Sequence, residues 1–413
     1  MLHRPVLMAW LAVAALLSVY AWAVFVLSFH HDGLIGPRFN APGADYIVYY
    51  TAARDFLAGD LRTISDAAAF TAQQNREFAD RLSGQFGPHP WVYPPPFLML
   101  LVPFAGLNFV WSYAAFMSAT LAVTVVGASC IARAPRQRMV WVLALVMAPA
   151  TAIDAITGQN ALLTAGILLG GVGLLGRSPV LAGALFGLLI YKPQFALMIP
   201  CALIGHRDRR ALIAAGSSAV ALASLSVVTL GPEIWQIWLT WLTQRNADYV
   251  AWLEWGRSWG LSVDTCAQLL GAGPRIANLL QAGAVVAAGA GVHHAFRSTL
   301  ALDLRLAALC GATILAAPHV SPYDLVLFAC AAIVLHSRVA SAEGPFAPLL
   351  LLLLWAAPLL GPPRASPAGF AVPLLAAALI VYALRAGRHS RPWRDADAAR
   401  NIAASPRHPR AVT

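Results

Sequence analysis

Pro42–Asp60 reads PGADYIVYYTAARDFLAGD. It is the most polar stretch near the start of a chain that is otherwise mostly apolar, and it follows the first apolar run directly. It sets one carboxylate, Asp45, a few residues beyond the point where that run should leave a bilayer. Once the apolar blocks downstream are threaded through a membrane, the other unusual polar motifs fall on the same side as Asp45.

The threading rests on composition. Hydrophobic residues make up 59% of the 413 and charged residues only 11%, against about 25% in soluble domains. The apolar blocks are long and rich in Leu and Ala, which predicts an all-α polytopic membrane protein and not a barrel of alternating strands. A net charge of +10 reads as basic internal loops and a basic tail, so nucleic acid is not an expected partner. Cys130, Cys201, Cys266, Cys310 and Cys330 are scattered, with neither the spacing of a zinc site nor a disulfide framework.

Working outward, residues 5–27 read as the first membrane helix, with the N-terminus inside. A cleaved signal peptide is the competing reading, but the run is long for one and no convincing small-x-small cleavage site follows it. Residues 28–93 form a large outer loop, in which Ile64–Phe86 reads as a short helix capped by Ser65 or Asp66. Trp91–Phe97, WVYPPPF, can start a helix but cannot sit inside one. Residues 97–131 cross once, with a break near Pro103–Asn108, and Arg133, Arg136 and Arg138 mark an inner loop. The runs 139–153 and 160–176 flank DAITGQN (Asp154–Asn160), and 179–191 and 193–205 flank Tyr191, Lys192 and Pro193. These runs fall short of the roughly 20 residues of a full crossing, and basic residues flank each pair. Two V-shaped excursions follow, with polar tips sunk in the outer half of the membrane, where irregular backbone must line protein or a wet cavity. A single helix over 179–205, kinked at Pro193, is the alternative.

Beyond them, 211–230 cross outward. Residues 231–265 form a second outer loop with Trp235, Trp238, Trp241, Trp252, Trp255 and Trp259, read as a helix lying in the interface. Residues 276–296, 304–317, 325–336, 346–360 and 369–384 complete about twelve membrane segments, several short or broken. The expected organisation is one transmembrane domain, 1–386, with a basic cytoplasmic tail, 387–413.

The motif order is Asp45-Tyr46, Tyr50, Ala53 and Gly59; then Tyr93-Pro94-Pro95 with Pro103; then Gly158-Gln159-Asn160; then Lys192-Pro193 before a basic loop. In this order and topology the chain resembles glycosyltransferase family 87, within the integral-membrane GT-C superfamily, over residues 5–385. The resemblance implies a GT-C-like helical bundle. It also implies inverting transfer of a hexose, usually mannose, from a polyprenyl-phosphate donor to a lipid or glycan acceptor. The active site would lie on the outer face of a bacterial-type cytoplasmic membrane. Asp45 matches the family's general base. Many GT-C relatives carry two acids there, but Ala44 precedes Asp45, so a metal-assisted pair is not supported and no cofactor is required.

Such a reaction needs a base for the acceptor hydroxyl and positive charge near the leaving phosphate. Asp45 fits the base, although a helix cap is its structural alternative. Lys192 is the sole lysine among 28 lysines and arginines. An ionisable group between apolar runs is a functional candidate, here for the phosphate, with snorkelling to the interface as the alternative. His319 and Asp324, in PHVSPYD, could bind phosphate or sugar, or pair with each other, while Asp324 could instead cap a helix. Gln159 and Asn160 offer hydrogen bonds to substrate or to frayed helix ends. Arg257, with Arg245 and Asp264, is a further binding candidate, and Tyr93 serves binding or architecture. Arg54 and Asp55 read as a solvated helix face. A transporter or flippase for a lipid-linked or anionic substrate is the competing function, since broken helices around a lysine suit it too. The concentration of polar residues in outer loops favours the enzyme.

Overall fold

The computed structural model describes residues 3–28, 42–82, 84–132, 134–243, 247–339 and 346–389, and every regular element among them is helical. Helix α1 (His3–Ser28) is the first apolar run. It docks through indoles: Trp22 Nε1 donates to Val146 O at 3.1 Å, and Trp355 Nε1 to Ala14 O at 3.2 Å. The polar stretch becomes α2 (Ala44–Ala58), and its tyrosines are buried. Tyr46 and Tyr49 pack among Phe97, Phe109, Tyr113 and Phe116, so the stretch is sunk into the core. Helices α3 (Leu61–Ser65) and α4 (Ala67–Glu77) are capped by the carboxylates of Asp60 and Asp66, a contact worth about 1 kcal/mol each. Asp55 is not on a solvated face. It is buried against α4, where Gln73 Nε2 donates to its Oδ1 at 2.9 Å.

Pro95 opens α5 (Pro95–Leu101), at a helix start where a missing N–H costs nothing. Asn108 caps α6 (Phe109–Ile131). The run 139–153 is not continuous. Helices α7 (Pro135–Met147) and α8 (Pro149–Thr157) meet at 56°, because Pro149 cannot donate to the preceding turn. There follow α9 (Ala161–Leu174), α10 (Pro179–Gly187) with a 3-10 turn over Leu188–Tyr191, α11 (Pro193–Ala196), α12 (Ile199–His206) and α13 (Arg209–Leu230). The Trp-rich segment is three helices and not one: α14 (Pro232–Thr243), α15 (Ala247–Arg257) and α16 (Val263–Leu269). Buried Trp241 packs on Tyr249 and Trp252, which folds α14 against α15. The chain continues as α17 (Pro274–Arg297), α18 (Leu302–Ala316), α19 (Val326–Val339), α20 (Phe346–Ala356) and α21 (Ala371–His389).

Among the described residues four segments are long and apolar enough to cross a membrane: α6, α13, α17 and Pro367–Gly387. The bent pair α7–α8 makes a fifth. Against an expectation of about twelve, the other apolar stretches run only 10–17 residues, Leu11–Leu27 within α1 among them, and proline or glycine breaks end most of the rest. The expected tail beyond His389, the loop segment 29–41, Arg133 and Arg245 lie outside the described residues.

Glycines set the helix contacts. Thr124, Gly127 and Cys130 of α6 lie in turn beside Leu162, Gly166 and Gly173 of α9, so the two helices run parallel with backbones touching. Gly183 and Gly187 of α10 meet Ala211 and Ala215 of α13, while Cys201 and Gly205 of α12 meet Gly289 and His293 of α17. Small residues permit such approach where lipid supplies no hydrophobic drive. These registers give the helices directions and the bundle two ends. At one end Arg338 pairs with Asp303 at 2.6 Å, Arg177 donates to Cys130 O, and Gly205 lies against His293. The segment 179–206 leaves this basic end and returns to it. Lys192 stands at its apex, so the chain makes a V and not one kinked helix.

Candidate active site

The other end collects the polar side chains. Asp45 stands in the first turn of α2, after Gly43. Gln159 and Asn160 occupy the turn between α8 and α9. That turn begins at Gly158, with φ of 74°, and a Cβ there would stand 2.6 Å from the Cβ of Tyr46. Only glycine meets both demands. Asp154 ties the turn from below: its carbonyl accepts from the N–H groups of Gly158 and Gln159, and its Oδ1 from Ala161 N at 3.0 Å. Tyr93 leads into α5. Asp324 lies in the 3-10 turn Pro322–Leu325 and forms a capping box with Ser321.

One hydrogen-bonded chain links these residues. Gln159 Nε2 donates to Asp45 Oδ2 at 2.8 Å, and Gln159 Oε1 accepts from the Tyr49 hydroxyl. Asn160 Nδ2 reaches that same hydroxyl at 3.3 Å, while its Oδ1 accepts from Lys192 Nζ at 3.0 Å. Lys192 Nζ ends on Asp324 Oδ1 at 2.7 Å, and Asp324 Oδ2 accepts from Ser321 N. Tyr93 joins at the Asp45 end through Tyr49, hydroxyl to hydroxyl at 2.8 Å. Lys192 and Asp324 are 4% and 2% exposed, whereas the Asp45 side chain is 19% exposed. The lysine and its partner are the buried floor of this chain of contacts, and Asp45 is the more exposed charge at its other end. Asp324 is therefore both a cap and the counter-ion of Lys192, not of His319.

His319 lies near this chain without joining it by a hydrogen bond among the described contacts. Its imidazole is in electrostatic reach of Asp324, Lys192 and Asp45, and burial lowers its pKa below the ordinary histidine value. Helix α15 roofs this end: Trp252 faces His319 with ring centroids 6.4 Å apart, and Gly256 lies beside the same imidazole. Arg257 follows in the last turn of α15, and no hydrogen bond or ion pair ties it to the chain among the described contacts. Asp264 stands apart and accepts from Gln268 at 2.8 Å.

Residues 91–322 match the sequence profile described as glycosyltransferase family 87. The chain belongs to glycosyltransferase family 87. This family 87 member is accordingly a glycosyltransferase, and with its apolar helices a membrane protein, so transport no longer competes as its function. Tyr93, Gln159, Asn160, Lys192, Arg257 and His319 fall inside the matched stretch; Asp45 and Asp324 fall outside it. No curated protein and no solved structure matches the chain.

The sequence reading overlooked three participants. Asp154 is fully buried, and an acid closing an apolar run carried the same signal as Lys192. Tyr49 was one of several tyrosines in α2, with nothing local to single it out. His89, whose Nε2 lies 3.8 Å from Asp45 Oδ1, sits in a Pro88-His89-Pro90 loop, and that rigid setting was the available hint.

Proposed function

We propose that this family 87 glycosyltransferase moves a hexose, most simply mannose, from a polyprenyl-phosphate donor to a lipid or glycan acceptor, with inversion, at the outer face of the cytoplasmic membrane. Residues 1–386 act as one transmembrane unit, the chain passing between the two ends about twelve times with the basic end inside. The observation that carries the reading is the depth of the polar chain. Helix α9 has 14 residues between Asn160 and the basic end, a rise of about 21 Å, whereas the hydrocarbon layer is about 30 Å thick. With the basic end at the inner interface, the site is recessed roughly 10 Å below the outer one. A donor that brings its own lipid tail is delivered to that depth from the side.

In this mechanism Asp45 takes the proton of the acceptor hydroxyl as its oxygen attacks the anomeric carbon. Gln159 holds Oδ2, so Oδ1 is left to face the substrate. Lys192 has three N–H groups, of which two go to Asn160 and Asp324; the third serves a phosphate oxygen of the donor. His319 donates to the same phosphate or to the sugar, Arg257 screens the departing charge from α15, and Asp324 keeps the lysine in place. The helices α14 and α15 exclude water.

The test is transfer of radiolabelled mannose from polyprenyl-phosphate-mannose into a lipid extract of the source cell, by purified protein in lipid. Wild type should transfer. Asp45→Asn should lose at least about 100-fold in kcat, the usual weight of a general base, with donor binding kept. Equal rates would remove Asp45 from the chemistry, and no transfer by wild type would remove the proposed donor or acceptor.

A further inference from the structure

We propose that His89 is a positioning residue for Asp45, the second holder of the proton released from the acceptor; this rests on Asp45 being the base. The loop that carries His89 is locked onto α4 at three points. Thr71 Oγ1 accepts the backbone N–H of His89 at 3.0 Å, Gln74 Nε2 donates to the His89 carbonyl at 3.0 Å, and His89 Nδ1 lies 2.8 Å from Gln74 Oε1. Gln74 is fully buried, and its amide orientation is settled by its own contacts. Both Nε2 hydrogens go to carbonyls, of Phe70 at 3.2 Å and of His89. Oε1 is therefore an acceptor, and the hydrogen in the Nδ1 contact belongs to the imidazole.

That assignment leaves Nε2 as the bare nitrogen of the neutral ring. It points at Asp45 Oδ1 across 3.8 Å, and Asp45 is the charged group within ion-pair distance of the ring among the described residues. Phe86 and Trp255 pack on the ring, at centroid distances of 4.5 and 6.1 Å, and hold its plane. The His89 side chain is 9% exposed against 19% for Asp45, so the imidazole is the inner member of the pair. A gap of this length closes to a hydrogen bond when the side chains move together by about 1 Å, as catalytic contacts do when substrate is bound.

The sequence of events balances. The acceptor O–H bond breaks and its proton goes to Asp45 Oδ1. The acceptor oxygen bonds to the anomeric carbon, whose bond to the donor oxygen breaks, and that electron pair leaves on the donor. The proton then passes from Asp45 to His89 Nε2, giving a carboxylate and an imidazolium side by side. Asp45 is thereby restored as a base while product is still bound, and the imidazolium releases its proton to solvent through Asp45 once product departs. A fixed amide acceptor at Nδ1 suits this role, because it holds that hydrogen in place and turns Nε2 to the arriving proton.

The experiment pairs a spectroscopic readout with kinetics on the full-length protein in lipid. In 15N spectra of histidine-labelled protein, the His89 signals, identified by their loss in His89→Asn, should show hydrogen on Nδ1 and a bare Nε2 in the neutral ring. At a fixed pH near neutrality, the doubly protonated fraction should fall several-fold in Asp45→Asn, since an opposite charge within about 4–6 Å favours the charged form. His89→Asn keeps a donor towards Gln74 and removes Nε2. With polyprenyl-phosphate-mannose as donor, its kcat should fall about tenfold or more while KM for the donor stays within twofold. Hydrogen on Nε2 in the neutral ring, an unchanged protonated fraction in Asp45→Asn, or a raised KM with kcat intact would overturn the assignment. Should His89→Asn fail to fold, His89→Gln takes its place both for identifying the His89 signals and for the kinetics. Coupling of the two side chains without transfer by wild type would overturn the sugar-transfer reading and leave the pair as electrostatics only.

Discussion

At the scale of single residues, the buried pair Lys192–Asp324 makes the sharpest prediction. Removing one partner strands a charge at the floor of the site, and such losses cost about 3–5 kcal/mol. Lys192→Met and Asp324→Leu should each lower thermal stability strongly, or prevent folding, in a melting assay. The double variant should recover most of that stability and still transfer no sugar. Full stability in the single variants would mean that the pair is not buried as described. A second residue gives a pH dependence. Burial raises the pKa of Asp55 to about 6, with the Gln73 hydrogen bond acting weakly the other way, while an unfolded chain releases this proton near pH 4. The folded state thus binds the extra proton between these values, so stability should fall as pH rises from about 4 to about 6 and change no further above it. Asp55→Asn should flatten this slope; an unchanged slope in paired melts at pH 4.5 and 7 would assign it to another group.

At the scale of elements, the site stands on helices whose backbones touch. A Cβ at Gly166 would lie 2.7 Å from the backbone of Val123 and Thr124, whereas at Gly216 of α13 it would meet nothing within 4 Å. Gly166→Val should force α6 and α9 apart, cost about 1–3 kcal/mol or more, and disturb Asn160 at the start of α9. Gly216→Val should change stability by less than about 0.7 kcal/mol. Melting temperatures of the two variants beside wild type decide the matter; equal losses would assign the effect to β-branching alone. Elements also show where sequence patterns stop short. The break at Pro103–Asn108 and the cap at Asp66 are local chemistry and could be read directly. The bend at Pro149 was missed, because a proline can either open a helix or kink one, and only packing against α1 and α7 tells which. Asp55 was misread for a related reason: a polar residue in an amphipathic turn looks solvated until the partner helix, here α4, is in place.

At the scale of the whole molecule, the sequence was most informative about sidedness. Asp45, Tyr93, Gln159, Asn160, Lys192, His319 and Asp324 come from five separate segments, and their gathering at one end follows from where basic residues flank the apolar runs. The pairing inside that end was not legible. That Lys192 meets Asp324 across 132 positions, or that His89 faces Asp45, depends on helix rotation and loop path, which no local pattern encodes. The same sidedness carries a prediction about the protein in its membrane. Ser258, next to the roof of the site and bonded to Arg364 at 3.1 Å, should lie outside, and Arg207, the left-handed residue ending α12, should lie inside. In intact cells a membrane-impermeant maleimide should label Ser258→Cys and spare Arg207→Cys until the membrane is opened. The native cysteines Cys266, Cys310 and Cys330 are buried and should give little background. The reverse pattern, Arg207→Cys labelled from outside and Ser258→Cys spared, would break the V-shaped path through Lys192, because one crossing more or fewer between 179 and 206 exchanges the two sides for everything downstream. With that exchange Asp324 and His319 could not share a compartment with Asp45, so this one measurement tests the assembly of the site as much as the topology.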